Sequence, residues 1–278
     1  MGATEAMTLL DQFNHLPTVP KVVRDLVTEF ERPMPNLDRV ANLIGSDPVL
    51  ATKLLRLANS AFYHRAGTVS RIQDAVIFLG TNAVRNLVLA AGLTSSVSFP
   101  ADFPRASFWR YSLHTAVAAR EIARSLHVDT ECAFTIGLMR AIGEPLMYSV
   151  MGQDMRAIDR TGSHFYQASR ANAERERLRF SHVDLGADLA LRWHFPTEMV
   201  AVLRQSQAPD DTAPGFRMAS AVALGAYIAG EYEALNENPQ QLPGATLELL
   251  ESIGLQADTL LDMAPLPELS EGLEILVS

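Results

Sequence analysis

The sequence predicts an all-α protein. Apolar residues recur at the three- and four-residue spacing of a buried helical stripe along the whole chain. Residues that start and stop helices punctuate those stretches, and no strand-like alternation or internal repeat stands out. Leu16-Pro17-Thr18-Val19-Pro20 reads as a loop ahead of a helix carrying Val22, Val23, Leu26, Val27 and Phe30, which Pro33 and Pro35 end. Asn36 caps a short helix with Leu37, Val40 and Ile44 that stops at Gly45. Asp47 is a good N-cap and Pro48 suits the first helical position, where its missing N–H costs nothing. Leu50, Leu54 and Leu57 then share one stripe, flanked by Leu55, Ala58 and Phe62. His64 to Val69 reads as a loop. Ser70 and Gln73 form a candidate capping box for a helix with Ile72, Val76, Ile77 and Leu79, closed by Gly80, and Thr81 caps the next, with Val84, Leu87, Val88 and Ala91 inward.

Phe99 to Pro104 is a Pro-rich break and the best subdomain boundary. Ser107 precedes a long helix through Trp109, Leu113, Val117 and Ile122, and Phe134 to Val150 reads as one further apolar helix. Gly152 to Arg179 is more polar. Ser181 to Asp184 is a capping signal ahead of Leu185, Leu189 and Trp193, and a helix restarts after Phe195-Pro196 through Val200 and Leu203. Asp210 to Gly215 is a loop, Met218 to Ala234 a helix, Asn236 to Pro243 a polar loop, and Thr246 to Ile253 a helix closed by Gly254. The tail from Pro265 is expected to pack loosely.

A chain of 278 residues supports one large domain or two small ones with a sizeable core, and 48% hydrophobic with 20% charged residues is ordinary globular composition. A net charge of −9 disfavours a generic grip on nucleic acid, which needs a basic face to displace counterions. Arg170, Arg175, Arg177 and Arg179 form a small basic candidate, but Glu174 and Glu176 interleave with them and predict a solvated helix face. The single cysteine, Cys132, permits no intrachain disulfide, fits a reducing cytoplasmic setting, and is expected to be a buried, inert thiol. The N-terminus lacks the basic and apolar regions of a signal peptide, and the best candidate for a membrane span, Val84 to Val97, is short and interrupted by Arg85 and Asn86. No phosphate-cradling Gly-Lys-Ser/Thr loop, Gly-x-Gly-x-x-Gly, His-Glu-x-x-His, paired zinc cysteines or Gly-x-Ser-x-Gly elbow is present.

The block Asp47 to Tyr63, DPVLATKLLRLANSAFY, closely resembles the signature of the HDOD family, helical signalling domains related to the HD-type metal phosphohydrolases. Pro17 and Pro20 in the first loop, Asp47, Pro48, Leu54, Asn59 and Ser60 in the block, and Gly80 at the end of Val69 to Gly80 match the family pattern in order and spacing. The resemblance covers residues 16–209. It implies a multi-helix, HD-domain, phosphodiesterase-like fold with an N-terminal helical subdomain (16–98) and a degenerate HD-like half (105–209). Residues 1–15 would be an extension and 210–278 a C-terminal helical segment packing on the domain.

The resemblance also implies where the hydrolases' metal ligands would fall. His114 matches the first. The motif Gly-Leu-Leu-His-Asp-Ile-Gly-Lys reads Gly137-Leu138-Met139-Arg140-Ala141-Ile142-Gly143-Glu144 here, so Arg140 and Ala141 replace His and Asp. The last ligand, an Asp, would fall at Ala226, and where related phosphodiesterases carry a late His pair this chain has Leu203-Arg204-Gln205-Ser206-Gln207. An arginine offers no lone pair to a metal and repels a cation. No catalytic residue, metal ligand or cofactor is therefore expected, and His114 alone is expected to be structural. Arg140 is expected to pair with an acidic neighbour, Glu144 one turn on. His182, Asp184 and Asp188 form a weak metal or substrate candidate, with helix capping the preferred reading, and His194 beside Trp193 is expected at a helix end or interface. Asn59, Ser60 and Arg56 are read as polar groups that fix a helix junction rather than as partner contacts.

The role implied is that of a bacterial, non-enzymatic regulatory module acting by protein–protein contact, with an apolar patch or groove between the helical halves as the docking site. Its partner would be a histidine kinase, a response regulator or a protein of cyclic-dinucleotide signalling, with no nucleic acid or membrane involved and the oligomeric state open. The alternatives are a metal-dependent phosphohydrolase or phosphodiesterase with unexpected ligands, and a nucleotide-binding sensor without hydrolysis in which Arg140 contacts phosphate.

Overall fold

A computed structural model describes residues 20–30, 32–60, 63, 68–96, 99–160, 169–193 and 195–277. Among them the protein is helical throughout, with no strand. The calls on Pro17, Phe62 and His194 lie outside the described residues, as does most of the His64 to Val69 loop. The chain forms two units. One holds the described residues between 20 and 96 together with 270–277, and the other holds those between 99 and 269.

The first unit contains α1 (Lys21–Phe30), α2 (Leu37–Gly45), α3 (Pro48–Ala58) and α4 (Ile72–Ser96). Helix α4 is its spine and packs against the other three. The core is built from the predicted stripes: Leu26, Val40, Ile44, Leu54, Leu57, Val84, Leu87 and Val88 are all buried. Asn36 accepts from the Arg39 N–H at 2.9 Å, and Asp47 accepts from the N–H groups of Val49 and Leu50 at 2.9 and 3.0 Å with Pro48 following. Gly80 (φ 79°, ψ 163°) breaks α4 into two segments in a conformation open essentially to glycine alone. Asn59 holds Val69 from both sides, donating to its carbonyl and accepting from its N–H at 2.8 Å each, while Ser60 donates to the Leu57 carbonyl at 2.8 Å. That two-point hold ties the connector to the end of α3. Helix α4 starts at Ile72, and the Arg71 carbonyl, not Ser70, sits at the N-cap position, accepting from Ala75.

Arg85 donates to the Phe30 carbonyl at 2.8 Å and stacks over its ring. By length and composition the stretch Ile72–Gly92 of α4 is apolar enough to cross a membrane, longer than the sequence reading allowed, and 67% of its most apolar window is buried within the protein. The tail is not loose: Leu266, Leu273, Ile275 and Leu276 are buried, the last three in the first unit.

The second unit runs through α5 (Arg105–Ser125), α6 (Thr130–Met139), α7 (Gly143–Asp159), α8 (Arg170–Leu178), α9 (His182–Arg192), α10 (Thr197–Gln205), α11 (Phe216–Leu235) and α12 (Gly244–Ile253), with short α13 (Asp258–Leu261) and α14 (Leu266–Ser270). Helix α5, which starts two residues before Ser107, is buried on nearly every side and lies against α6 and α11. Gly254 ends α12 in the left-handed conformation. The expected single helix from Phe134 to Val150 is instead interrupted between Met139 and Gly143. A Cβ on Gly143 would lie 2.2 Å from the His182 carbonyl, so glycine there lets the start of α7 lie directly on α9. Cys132 is half-buried rather than buried, on the first turn of α6 that Asp129 caps.

Candidate functional site

The positions that the family resemblance marks for metal ligands lie on α5 (His114), in the turn just after α6 (Arg140 and Ala141) and on α11 (Ala226). Two glycines let these helices approach. A Cβ on Gly137 would lie 2.8 Å from the Ala116 Cα, and one on Gly225 would lie 2.7 Å from the Ala119 nitrogen. His114 is buried on α5, its Nδ1 3.3 Å from the Glu233 carboxylate of α11, and its ring meets Tyr232 edge-on at 5.3 Å. Arg110, one turn earlier, donates to Glu233 at 2.9 Å through Nε and 2.5 Å through a terminal nitrogen. Burial pushes the Glu233 carboxyl up, but the hydrogen bonds and charges of His114 and Arg110 outweigh it and hold the group below the usual carboxylate range. The acid facing His114 is thus Glu233, seven residues beyond Ala226, or about 10 Å along the helix.

Arg140 follows the last residue of α6 and is 9% exposed. One terminal nitrogen lies 3.4 Å from the Tyr111 hydroxyl, and its buried Nε has no hydrogen-bond partner among the described residues. The expected pair with Glu144 does not form. The chain leaves the helix between the two residues, so they do not share a helical face. Ala141 and Ala226 are buried and offer no donor atom. Of the four positions only His114 could ligate a metal, and its imidazole faces a carboxylate already held by Arg110. These residues do not fit a metal centre.

A second cluster, unforeseen in the sequence, joins α7, α8 and α9. Arg170 is fully buried at the start of α8. Its Nε donates to Glu174 at 2.8 Å and lies 3.2 Å from Glu144, and its terminal nitrogens reach Asp159 and, at 3.3 Å, the Tyr148 hydroxyl. Tyr148 donates to Asp159 at 2.5 Å. His182, at the first position of α9, sets both its backbone N–H and its Nδ1 2.7 Å from Glu174. Arg170 and Glu174 are therefore core residues and not the solvated face expected of that charge-rich stretch. Burial, and then the neighbouring Glu174, push the Glu144 carboxyl well above its usual range. Burial acts on Glu174 in the same direction, but His182 and Arg170 hold it below. Glu144, Glu174 and His182 each bring a ligand atom within 4.8 Å of the others. The guanidinium of Arg170 already lies among those atoms, so the cluster holds an organic cation and does not fit a metal.

His182 does not join Asp184 and Asp188. Ser181 and Asp184 form a reciprocal capping box at the start of α9. Arg175 grips Asp184 through two bonds of 3.0 Å, and Arg204 donates to Asp188 at 2.6 Å. Both carboxylates thus serve to fasten α8 and α10 to α9.

The HDOD domain family model matches residues 16–209. The chain belongs to the HDOD family. A proposed phosphohydrolase from Shewanella amazonensis SB2B has the same fold, with a TM-score of 0.75 and 25% identity over 99% of this chain and 98% of its own. A proposed signal transduction protein from Marinobacter aquaeolei VT8 aligns with a TM-score of 0.75 at 19% identity over 99% of this chain and 64% of its own. An HDOD domain protein of unknown function from Geobacter sulfurreducens aligns at 0.69 and 24% identity, over 99% and 95%. An uncharacterized curated protein of Treponema pallidum (strain Nichols) is 24% identical over 221 residues, 75% of this chain. The match takes in only 42% of that relative's length. The HDOD fold is thus the HD-type, phosphodiesterase-like helical architecture with an N-terminal helical unit, as the sequence predicts.

Proposed function

We propose that this HDOD chain is a non-enzymatic regulatory module that acts by protein–protein contact in two-component or cyclic-dinucleotide signalling. Its partner would be a histidine kinase, a response regulator or a protein that handles cyclic dinucleotides. The observation that carries the reading is the side-chain set at the positions where the HD hydrolases bind metal. Arg140 is buried beside Tyr111, alanine stands at 141 and 226, and His114 is engaged by Glu233. Hydrolases of that type need bound metal to generate a nucleophilic water, and a fixed guanidinium works against metal binding. The name of the Marinobacter structure points to the same class of role.

The test is turnover of bis-(p-nitrophenyl) phosphate and of cyclic dinucleotides, with manganese, iron or zinc added. The reading expects the same rate from the chain, from a His114→Ala variant and from metal alone. Turnover that His114→Ala abolishes would restore the hydrolase reading. In parallel, titration calorimetry against the kinases and receiver domains encoded nearest to this gene is expected to identify a saturable partner.

A further inference from the structure

Arg140 and Arg170 are both buried in the second unit, but they differ in what meets them. Every nitrogen of Arg170 faces an acceptor: Glu174 and Glu144 at Nε, Asp159 at Nη1, Glu144 and Tyr148 at Nη2. Arg140 has one contact, the 3.4 Å approach of Nη1 to the Tyr111 hydroxyl, which is long for a hydrogen bond. Its buried Nε has no partner, and among the described residues no carboxylate pairs with the guanidinium. Nη2 is likewise bonded to nothing there and is not sealed from solvent, which gives the guanidinium an accessible edge. Nε and Nη2 form one side of the guanidinium fork, so the two unpartnered nitrogens are neighbours whose N–H bonds run parallel.

Arginine does not escape this situation by losing its proton. The carbonyl end of α6, where Arg140 sits, favours a cation but offers only a partial charge. A buried charge without a counter-charge is costly to a fold, and such departures from full pairing gather at functional sites. We propose that Arg140 anchors an anion site at the junction of α5 and α6, and that it takes a small tetrahedral oxyanion, either inorganic phosphate or the phosphoryl end of a nucleotide. Two parallel N–H groups match two oxygens of one phosphate, a geometry that a lysine would not supply. Nη2 makes the first contact, and a small shift of the side chain brings Nε onto the same anion. With a net charge of −9 the chain has no general attraction for anions, so the fork is the source of both binding and selectivity. The bound anion supplies the counter-charge that the surrounding side chains do not, and so stabilises the second unit. It would thereby give the regulatory module a small-molecule input. Anion binding needs no protein partner, so this site and the regulatory-module reading stand or fall separately.

Thermal unfolding of the full-length chain tests the site, in a phosphate-free buffer at fixed ionic strength with sodium phosphate, adenosine monophosphate or sodium chloride added. Phosphate is expected to raise the wild-type Tm saturably, by about 3–6 °C at ten times its half-saturating concentration, with chloride inactive. In Arg140→Met, which keeps most of the aliphatic volume, phosphate should no longer move the Tm. Half-saturation by adenosine monophosphate at a concentration tenfold or more below that of phosphate assigns the site to the phosphoryl end of a nucleotide. Equal or weaker binding of the nucleotide assigns it to free phosphate. No saturable rise in the wild type, an equal rise with chloride, or an undiminished rise in Arg140→Met overturns the proposal. Should Arg140→Met fail to fold, the Nε–H resonance of Arg140 in the wild type decides, identified by its loss in Arg140→Lys. Phosphate must shift that resonance over the same concentrations that raise the Tm, and a resonance that stays in place overturns the proposal.

Discussion

Replacing Arg170 with methionine removes the cation at the centre of the α7–α8–α9 cluster while keeping most of its aliphatic volume. The wild-type guanidinium faces Glu174 at 2.8 Å, Glu144 at 3.2 Å, and Asp159. Breaking a buried pair by removing one partner costs about 3–5 kcal/mol, because an uncompensated charge stays behind. Two features set the expectation at the lower end. Glu144 is held toward its neutral form, so it loses little. Asp159 is 31% exposed and can be rehydrated. Glu174 is left as the main buried anion, with His182 as its remaining partner. A loss of about 3 kcal/mol corresponds to a fall in Tm of about 6–12 °C for a domain of this size. Calorimetry at neutral pH measures it. The double variant Arg170→Met/Glu174→Gln should recover part of the loss, giving a coupling energy of about 1–2 kcal/mol. A single-variant loss below about 1 kcal/mol, the value of an exposed pair, would refute the reading that this buried network fastens α7, α8 and α9 together.

Glu144→Gln should act with a definite pH dependence. The folded-state pKa of Glu144 is raised, so wild-type stability is undiminished below about 4.5 and falls as pH rises toward the folded value. The glutamine variant escapes that fall, and urea melts across pH should diverge in its favour on the alkaline side and converge in acid. Glu174 has the opposite sign: its folded pKa is lowered, so its contribution is present above about 4.5 and lost as pH falls through the folded value. Glu174→Gln should therefore flatten the acid limb of the same curve. Gly225→Ala should cost about 1–3 kcal/mol, since its methyl would lie 2.7 Å from the Ala119 nitrogen and 2.9 Å from the Thr115 carbonyl. Gly244→Ala, with nothing within 4 Å of the new methyl, should be neutral or stabilising by about 0.4–1 kcal/mol in the same thermal assay.

The parts of the fold that were legible in the sequence rest on chemistry between residues two to four apart. Asp47, Asn36 and the Ser181–Asp184 box cap the helices they precede, and Gly80 and Gly254 mark the breaks at which the backbone turns left-handed. Ser70 is not the cap: the helix starts at Ile72, one residue later than a cap at Ser70 requires, with the Arg71 carbonyl accepting from Ala75. The break after Met139 leaves no mark in the apolar pattern, and the close packing of Gly143 on the His182 carbonyl that accompanies it involves another helix.

The candidate site divides in the same way. The family resemblance marked His114, Arg140, Ala141 and Ala226 as counterparts of the ligand positions, and gave no sign of Glu233, which pairs with His114 across two helices. The Arg170 network was missed altogether. In a run where Arg170, Glu174, Arg175, Glu176 and Arg177 alternate in charge, composition does not tell which pair turns inward. The available signal was geometric. Arg170 and Glu174 are one helical turn apart and share their buried face with Ala171. A fully buried arginine needs several acceptors, and those come from Glu144 and Asp159 on α7, which local pattern does not connect to α8.

Metal content tests the central claim most directly. The full-length chain, produced with manganese, iron and zinc in the medium and purified without chelator, is assayed by elemental mass spectrometry beside His114→Ala. A regulatory module whose HD positions carry Arg140, Ala141 and Ala226 predicts metal far below one equivalent and no difference between the two proteins. One equivalent or more of manganese, iron or zinc in the wild type, lost in His114→Ala, would contradict the account and return the chain to the metal phosphohydrolases.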